Sequence, residues 1–373
     1  MRLAFLHRSL AGGGTEADLR RMAAGLVARG HAVTVFSAGR GEPPTGVAVR
    51  HVPVVRAGRL ARLVSFALAA PRAAAACGPF DLVVGFGRTL RQDVVRVGGG
   101  THRRYLERME AAGLRRRGRG PYHRAILWIE RRQFHPARCR RVIAVSALAG
   151  REVCEDYGVP PARVAVVYNG VDLERFHPRH RDTLGPALRT ALGIPPTARV
   201  CAAVGSGFAR KGFDLLLDLW RERPPAGAVL VLVGDDERLG RWRREAARPP
   251  LAGRVHVTGP RSDVDAVLAA ADAVCVPSRQ EAFGNVVLEA CAAGVPVVTS
   301  RSTGAAELLE PPLDALVIDD PADGAALGAA LERALGVEGP ALGRAARRCA
   351  EALPWERHLE RLERVLAEAA GGR

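Results

Sequence analysis

The sequence contains a single lysine, Lys211, and every other basic side chain is an arginine. Aromatic residues are also scarce, at 5% of the chain. No stretch approaches the ~20 apolar residues that a membrane-spanning helix requires. The apolar run at the N-terminus, Leu3 to Leu6, is too short for a signal peptide. These absences argue against a transmembrane or exported protein, and we expect a cytoplasmic chain.

None of the seven cysteines belongs to a C-x-x-C pair, which argues against a zinc site or a redox motif. Several lie inside apolar patterns, so we expect buried, reduced thiols. The 55 basic and 39 acidic residues give a net charge of +16. Such a surface attracts anions, among them nucleotide diphosphates, phosphorylated lipids and nucleic acid.

The length of 373 residues and the 48% hydrophobic content predict two domains, each with its own core. Short apolar segments alternate with helical patterns throughout, which favours an α/β protein with parallel sheets. Proline-flanked residues 178–196 are typical of a hinge. We therefore predict an N-terminal domain at 1–177, a C-terminal domain at 178–354 and a final helix at 355–373. The predicted strands lie at 3–6, 32–36, 47–54, 81–84, 94–97, 142–145, 164–168, 200–204, 228–233, 254–257, 273–276, 295–299 and 315–318.

Two glutamates, Glu281 and Glu289, flank the predicted start of a helix near Gly284. The first follows a strand at 273–276, and the second lies on the helix itself. Backbone N–H groups at a helix N-terminus form a natural seat for phosphate. Two carboxylates around an anion seat suit a ligand with a central diphosphate and hydroxyl-rich ends, such as a nucleotide sugar.

Arg210 and Lys211 follow a predicted strand and a glycine turn, directly before a helix that opens at Gly212. Ligands of open α/β sheets bind at this end of the strands. Arginine can contact two phosphate oxygens at once, and lysine adds a compact charge beside it. A solvated basic turn is the alternative, but the downstream glutamates favour a phosphate site.

Three segments together resemble glycosyltransferase family 4, the retaining enzymes of GT-B fold. They are Arg210-Lys211-Gly212, the pair Glu281 and Glu289, and the segment from Tyr168 to Phe176. GSGFARKGFD and QEAFGNVVLEA most resemble the lipopolysaccharide-core glucosyltransferase group within that family. The resemblance implies two Rossmann-like domains facing a central cleft, with the last helix crossing back to the first domain.

The resemblance also assigns roles to residues of the C-terminal domain. Glu289 would bind the nucleotide ribose, and Glu281 the hydroxyls of the transferred sugar. Arg261, after the strand at 254–257, would read the base or shield phosphates, or else is a solvated charge. Backbone donors to sugar and phosphate would come from four consecutive residues, Phe283, Gly284, Asn285 and Val286.

In the N-terminal domain the resemblance points to one loop and two side chains. The loop with Gly13, Gly14 and Thr15 would close over the donor phosphates, although alone it also fits a flexible turn. Asp18 would act on the acceptor side or as a base; the alternative is an exposed aspartate that stabilises its helix. His102 would lie near the primary hydroxyl of the transferred sugar, or else be a helix-capping or surface histidine.

Other motifs are interpreted as structural. The acidic run Asp235-Asp236-Glu237 is read as a polar loop, and we expect neither a metal nor another cofactor, because Arg210 and Lys211 already supply positive charge. Gly205-Ser206-Gly207 is not the motif of a nucleophilic hydrolase. The Gly12-Gly13-Gly14 loop lacks the spacing of a dinucleotide fingerprint.

The segment Arg103–Arg141 is the densest run of positive charge. Clustered arginines with interleaved aromatic residues suit an anionic membrane surface, whereas a solvated basic helix is the simpler reading. We expect peripheral contact with the inner face of the cytoplasmic membrane. The run includes Arg115, Arg116, Arg117, Arg119, Arg124, Arg131, Arg132, Arg138, Arg140 and Arg141, with Tyr105, Tyr122, Trp128 and Phe134.

The sequence thus predicts a retaining hexosyltransferase. UDP-glucose is the favoured donor, and a lipid-linked or lipopolysaccharide-core saccharide is the favoured acceptor. A family 4 enzyme with another donor, or with a phosphoinositide, glycan or small-molecule acceptor, is the first alternative. A GT-B nucleotide-sugar epimerase is a second. A nucleic-acid-binding module fits the charge but not the two glutamates, and no nucleic-acid partner is expected.

Overall fold

The computed structural model describes residues 1–39, 41–114 and 120–371. The chain divides into two compact units. The first unit comprises Met1–Asn169 and the C-terminal segment from Glu356 onward, and the second unit is Gly170–Trp355. The boundary predicted at 177/178 therefore falls inside the second unit.

The first unit is built on a seven-stranded parallel sheet with the order β3-β2-β1-β4-β5-β6-β7. Leu3 pairs with Val33 on one side and with Leu82 on the other. Chain order reverses between β1 and β4, which is where open α/β sheets bind ligands. The strands are β1 (Arg2–Leu6), β2 (Ala32–Ser37), β3 (Ala48–His51), β4 (Leu82–Gly85), β5 (Val94–Val97), β6 (Arg141–Ala144) and β7 (Val164–Val166).

Helices on the sheet complete the first unit. Helix α2 contributes Phe66, Ala70 and Ala74 to a buried apolar cluster with Leu6 and Phe36 of the sheet. The helices are α1 (Gly14–Ala28), α2 (Gly58–Ala76), α3 (His102–Ala111), α4 (Pro121–Gln133) and α5 (Ala147–Tyr157).

The second unit has a six-stranded parallel sheet with the order β10-β9-β8-β11-β12-β13. All six residues of β9 are buried, as expected for a central parallel strand covered on both faces. Its strands are β8 (Arg199–Val204), β9 (Ala228–Val233), β10 (Val255–Gly259), β11 (Ala273–Val276), β12 (Val297–Ser300) and β13 (Val317–Ile318). Its helices are α6 (Gly185–Ala191), α7 (Phe213–Glu222), α8 (Leu239–Ala246), α9 (Val264–Ala270), α10 (Asn285–Ala292), α11 (Gly324–Leu335) and α12 (Gly339–Glu351).

Residues 178–196 are not an extended linker. They form a 3₁₀ turn at Pro178–Arg181 and helix α6, both within the second unit. Arg189 of α6 donates a hydrogen bond to the carbonyl of Ala270 at 2.8 Å and pairs with Asp272 at 2.7 Å. Pro178 and Pro186 lie in the first turns of these two segments, where a missing N–H costs nothing. The predicted hinge therefore lies inside the second unit.

The last helix, α13 (Trp355–Gly371), runs from the end of the second unit into the first. Its Glu363 pairs with Arg29 at 2.8 Å and with His31 at 2.7 Å. A Cβ placed on Gly25 of α1 would lie 2.5 Å from Cδ1 of Leu359. This close packing confirms the prediction that the C-terminal helix crosses back to the first domain.

Most predicted strands are present, and the differences occur beside prolines and loops. The strand predicted at 47–54 ends at His51, and the one predicted at 295–299 begins at Val297, after Pro296. Proline lacks the N–H that a sheet ladder requires. The strand predicted at 315–318 is mostly a 3₁₀ turn, Leu313–Leu316, followed by the two-residue β13.

All seven cysteines are free thiols, and four of them are buried. Among the residues that the structure describes, no helix combines the length and apolarity needed to cross a membrane.

Candidate active site

In the second unit the carboxyl ends of two neighbouring strands bring the predicted cations and Glu281 together. Strands β8 and β11 pair with Cys201 opposite Ala273, and chain order reverses between them. Residues 205–212 connect β8 to α7, and residues 277–284 connect β11 to α10. The two loops therefore leave the same edge of the sheet side by side.

Lys211, Arg210 and Glu281 form one ion cluster. Nζ of Lys211 lies 2.5 Å from Oε2 of Glu281, and Nη1 of Arg210 lies 2.6 Å from the same oxygen. Arg210 also donates hydrogen bonds to the carbonyls of Gln280 at 2.9 Å and Ser206 at 3.2 Å. The lysine is only 6% exposed, so its charge is held largely out of water.

Burial and charge act in opposite directions on this cluster. Burial by itself raises the pKa of Glu281, but Lys211 and Arg210 together lower that pKa to about 2. Burial lowers the pKa of Lys211, whereas the carboxylate of Glu281 and, more weakly, that of Glu289 raise it. A carboxylate beside a buried ammonium is the usual way to keep both groups ionised.

Gly212 allows the two loops to approach closely. It adopts a φ of +75°, and a Cβ at this position would lie 2.2 Å from the carbonyl oxygen of Pro277. A side chain would therefore both strain the backbone and clash with backbone atoms. The glycine that follows Lys211 thus sets the distance between the cationic loop and the loop of Glu281.

A second link between these loops was missed at the sequence level. Both terminal guanidinium nitrogens of Arg279 donate hydrogen bonds to Asp214 of α7, at 2.6 and 2.8 Å. Arg279 also donates a hydrogen bond to the carbonyl of Ala209 at 2.6 Å. This bidentate pair fixes the residues before Glu281 to the residues around Lys211. Asp214, in the first turn after the lysine loop, was the available signal.

Helix α10 begins at Asn285 after Gly284, which has a φ of +92° and carries no side chain over the helix end. A Cβ on Gly284 would lie 2.9 Å from Cγ2 of Thr303. Phe283 and Val286 are 2% and 6% exposed, so their side chains belong to the core. Contact of their backbone groups with a ligand stays a prediction.

Glu289 lies on α10 and is half-buried. Its charge raises the pKa of Lys211, so the two groups are in electrostatic reach of each other. The structure therefore assembles Arg210, Lys211, Glu281 and Glu289 around the start of α10. Their predicted contacts with a ligand remain predictions.

Arg261 is engaged by its own loop. Its guanidinium makes two hydrogen bonds to Asp263, at 2.8 and 2.6 Å, and this pairing raises the pKa of Arg261. This pair uses Nε and Nη2 and leaves out Nη1, and the role of Arg261 toward a nucleotide base stays a prediction. The alternative, a solvated charge, does not account for the ion pair with Asp263.

The acidic loop after β9 joins two neighbouring segments of the second unit through Asp236. Asp236 accepts hydrogen bonds from the backbone N–H of Phe208 at 2.8 Å and from Nε1 of Trp242 at 3.1 Å. These contacts tie the glycine loop after β8 to α8.

In the first unit the Gly13-Gly14-Thr15 loop leads into α1, with Gly13 at the N-cap and Gly14 as the first helical residue. Thr15 lines a cavity of about 370 Å³ beside His7 and Glu16. Nε2 of His7 lies 3.2 Å from Oε1 of Glu16. Contact of this loop with a donor stays a prediction.

Asp18 is 5% exposed, so the alternative of an exposed helix-stabilising aspartate is wrong. It accepts a hydrogen bond from Nδ2 of Asn169 at 3.1 Å and lies 3.7 Å from Nη2 of Arg96. Burial lowers the pKa of Arg96, and Asp18 raises it. Asp18 thus neutralises a buried guanidinium, which sequence spacing could not reveal. Its proposed chemical role is untested.

His102 is the first residue of α3 and is 9% exposed. Its backbone N–H donates to the buried carboxylate of Glu130 at 3.0 Å, and its Nε2 lies 2.9 Å from Nδ1 of His123. It lines the same cavity as Thr15. A surface histidine is therefore excluded, and the helix cap is Thr101 rather than His102.

The basic segment divides into paired and unpaired arginines. Arg104, Arg108, Arg140 and Arg141 each contact a carboxylate. The unpaired arginines lie on α4: no ion pair is found among the described residues for Arg124, Arg131 or Arg132. Residues Arg115, Arg116, Arg117 and Arg119 lie outside the described residues.

The aromatic residues of that segment are also of two kinds. Trp128 is 47% exposed, and the guanidinium of Arg132 lies 4.1 Å from its ring centroid. Phe134 is 5% exposed and packs on Tyr157, so its place on a membrane-facing surface was wrongly predicted. The exposed arginine and aromatic residues of this segment on α4 are Arg124, Trp128, Arg131 and Arg132, which we call the Trp128 face.

Comparison with known proteins agrees with this architecture. Residues 12–175 match the family model described as Glycosyltransferase Family 4, and residues 198–336 match Glycosyl transferases group 1. The lipopolysaccharide glucosyltransferase WaaG of Escherichia coli is 26% identical over 330 residues, covering 87% of this chain and 86% of that protein. A crystal structure of WaaG superposes with a TM-score of 0.82 at 26% identity, over 98% of this chain and 99% of that one.

Two further likenesses carry less weight, because one covers only part of each protein and the other shows the fold alone. A D-inositol 3-phosphate glycosyltransferase of Mycobacterium bovis is 32% identical over 241 residues, which cover 62% of this chain and 49% of that protein. Anabaena HepE, solved in complex with UDP and glucose, has a TM-score of 0.77 at 20% identity over 99% of this chain and 100% of that one, a likeness of fold alone. Two consecutive family matches, a GT-B relative along the whole chain and the Arg210–Lys211–Glu281 cluster lead to one conclusion: the chain belongs to glycosyltransferase family 4.

Proposed function

We propose that this glycosyltransferase moves a hexose, with glucose favoured, from a UDP-linked donor to a lipid-linked or lipopolysaccharide-core saccharide, with retention at the anomeric carbon. The observation that carries the proposal is the buried Lys211, paired with Glu281 beside the start of α10. The relative WaaG, named as a lipopolysaccharide glucosyltransferase, supports the choice of sugar and acceptor.

The chemistry follows from where charge develops. The bond between the anomeric carbon and the diphosphate breaks, and the departing oxygens gain negative charge. Arg210, Lys211 and the N-terminus of α10 would stabilise that charge, so the proposal includes no metal or other cofactor. The acceptor hydroxyl attacks from the same face, and its proton passes to the leaving phosphate.

The carboxylates take complementary roles in this proposal. Glu281 would accept hydrogen bonds from sugar hydroxyls, and Glu289 from the ribose. Backbone groups at Phe283, Gly284, Asn285 and Val286 would donate to sugar and phosphate. In the first unit the loop of Thr15 would close over the donor phosphates, and Asp18 would act on the acceptor side or as a base. His102 would lie near the primary hydroxyl of the transferred sugar.

Because the acceptor is proposed to be lipid-linked, we also propose that the protein acts at the inner face of the cytoplasmic membrane. The exposed Trp128 and the unpaired arginines of α4 would contact anionic headgroups.

A second candidate acceptor class is a phosphorylated cyclitol. The stretch that is 32% identical to a D-inositol 3-phosphate glycosyltransferase favours it. Turnover of UDP-glucose with inositol 3-phosphate, compared with turnover on purified lipopolysaccharide core, separates the two acceptors.

Donor binding is tested first by thermal shift with a panel of nucleotide diphosphates and their sugars. A bound donor at 100 times its Kd should stabilise the protein by about 2.7 kcal/mol. Lys211→Ala and Glu289→Ala should abolish the shift, and Lys211→Ala should lower kcat by about 100- to 1,000-fold, as removal of one oxyanion-stabilising group does elsewhere.

Arg301→Ala is the matched control, because this arginine is exposed and pairs only with Asp319 among the described residues. It should retain the full thermal shift. If no nucleotide or nucleotide sugar stabilises the wild type, the donor site is wrong as proposed.

A further inference from the structure

The first unit contains two adjoining cavities at the carboxyl ends of its central strands. The smaller one, about 370 Å³, is lined by residues that follow β1, β4 and β5, including His7, Gly87 and Gly99. The larger one, about 1080 Å³, lies past the ends of β2 and β3. Arg8 and Ser9 line both, so the two cavities adjoin at the point where chain order reverses.

The walls of these cavities are strongly cationic. Arg8, Arg56 and Arg62 line the larger cavity, and Arg59 and Arg88 line the smaller one. Of these five, Arg88 is neutralised by the buried Glu130 at 2.8 Å. Of the described residues that line the larger cavity, none is acidic. The one carboxylate in the smaller cavity, Glu16, is paired with His7. An anion entering here would meet little opposing charge.

Three of these arginines lie where a helix already carries positive charge. Helix α2 begins at Gly58, has no acidic residue in its first turn and has Ala57 at its N-cap. Arg56 precedes the N-cap, Arg59 lies in the first turn and Arg62 lies in the second turn. Cations at a helix N-terminus oppose the helix dipole, and an anion there is stabilised by both. Within the described chain no carboxylate lies within ion-pair distance of Arg8, Arg56, Arg59 or Arg62.

Two buried nitrogens of the smaller cavity have unused hydrogen-bonding capacity. Nδ1 of His7 and Nε of Arg88 make no hydrogen bond with any described residue. His7 is 9% exposed, and its other nitrogen is occupied by Glu16. A buried polar atom without a partner costs free energy, which a polar ligand would restore.

We propose that these cavities bind the acceptor through a dianionic phosphate group. The phosphate is bound by Arg56 and Arg62 with Arg8, while the hydroxylated body of the acceptor occupies the cavity of His7. Several guanidinium groups converge, and their planar donors match phosphate oxygens. The assignment rests on the proposed transferase function and adds the acceptor's chemical class to it.

The test measures binding by titration calorimetry at low ionic strength. The ligands are mannose 6-phosphate, mannose, inorganic phosphate and UDP-glucose. The variant is Arg56→Ala/Arg62→Ala. Its control is Arg151→Ala/Arg361→Ala, which removes the same charge from exposed positions with no ion pair among the described residues.

Wild type is expected to bind mannose 6-phosphate at least about tenfold more tightly than mannose or inorganic phosphate, because charge and hydroxyl contacts combine. The R56A/R62A variant should lose about tenfold or more in affinity for mannose 6-phosphate while keeping its affinity for UDP-glucose. The control variant should match wild type with every ligand.

Three results would overturn the assignment. Equal affinity for mannose 6-phosphate and inorganic phosphate means that the cavities take free phosphate. An equal loss in the control variant means that only overall charge acts. A parallel loss of UDP-glucose binding in R56A/R62A means that these arginines bind the donor. Failure of wild type to bind any nucleotide sugar would instead refute the proposed transferase function. The comparison of mannose 6-phosphate with inorganic phosphate would still show whether the cavities bind a phosphorylated ligand.

Discussion

The two candidate sites hold their positive charge in opposite ways. In the second unit, Lys211 and Arg210 converge on one carboxylate, Glu281, in a buried cluster. In the first unit, Arg8, Arg56 and Arg62 line a cavity and have no carboxylate partner among the described residues. A built-in counter-ion fixes cations in position before a ligand arrives. Unpaired cations instead leave the neutralising charge to the ligand.

This difference fits the two ligands proposed. The donor site must hold its cations where charge develops during bond cleavage, so preorganisation has catalytic value. The acceptor side needs recognition of a charged group, and free guanidinium groups can supply it. The contrast predicts opposite effects on stability when cations or their partners are removed from the two places.

The largest expected effect is on the buried cluster. Glu281→Gln should lower the free energy of unfolding by about 3 kcal/mol at pH 7, since it leaves Lys211 buried without its main counter-ion. Urea unfolding followed by tryptophan fluorescence measures this, because Trp220 and Trp242 lie in the second unit. Lys211→Met/Glu281→Gln should recover part of the loss.

The effect of Glu281→Gln on the free energy of unfolding should depend on pH. The pKa of Glu281 is lowered from its ordinary 4.5 to about 2 in the folded protein. The stability that its ionised form contributes is therefore complete above pH 4.5 and is lost as pH falls toward 2. The difference between wild type and Glu281→Gln should shrink from pH 5 to pH 3. Glu237→Gln, an exposed control in the same unit, should show no such trend; identical behaviour of both variants would contradict the buried cluster.

A smaller effect is expected on the Trp128 face of α4, where the first unit again has arginines without carboxylates. Arg131→Ala/Arg132→Ala should weaken binding to vesicles containing phosphatidylserine by about 2 kcal/mol, or roughly 30-fold. Sedimentation with vesicles at low salt gives the measurement. The Arg151→Ala/Arg361→Ala variant should bind as wild type does. Unchanged binding of the α4 variant would place membrane contact elsewhere.

The smallest expected effect concerns the two unpaired arginines near the start of α2, Arg56 and Arg62. Arg56→Ala/Arg62→Ala should raise the free energy of unfolding by about 0.5–1 kcal/mol at low salt, because both cations oppose the dipole of α2. The gain should vanish in high salt, which screens exposed charges. Urea unfolding in the two buffers tests this. A loss of stability in low salt would show that these arginines have partners in the folded state.

Much of the donor side could be predicted from sequence because its residues are local to two loops. Arg210 and Lys211 follow one strand, Glu281 follows another, and parallel strands place their carboxyl ends at one edge. The pattern could not reveal that Glu281 contacts both cations, nor that Arg279 and Asp214 join the loops. Those contacts depend on register and side-chain direction between segments some 65 to 71 residues apart.

The first unit was harder to predict because its chemistry is assembled from distant segments. Asp18 was interpreted from its place on a helix, and only folding brings it beside Asn169, 151 residues later. His102 was considered as a cap, but Glu130 and His123 surround it from α4. Phe134 was grouped with the exposed aromatics, although helical position alone does not determine which face meets the core.

The sequence by itself determined the alternation of strands and helices, the family, and the residues that assemble around the start of α10. Those properties follow from hydrophobic period, from glycine turns and from short motifs, all of which are local along the chain. The tertiary structure alone decided which charges are neutralised and which remain unpaired. Ion pairing depends on distances of a few ångströms between segments far apart in sequence, and only the folded chain sets those distances.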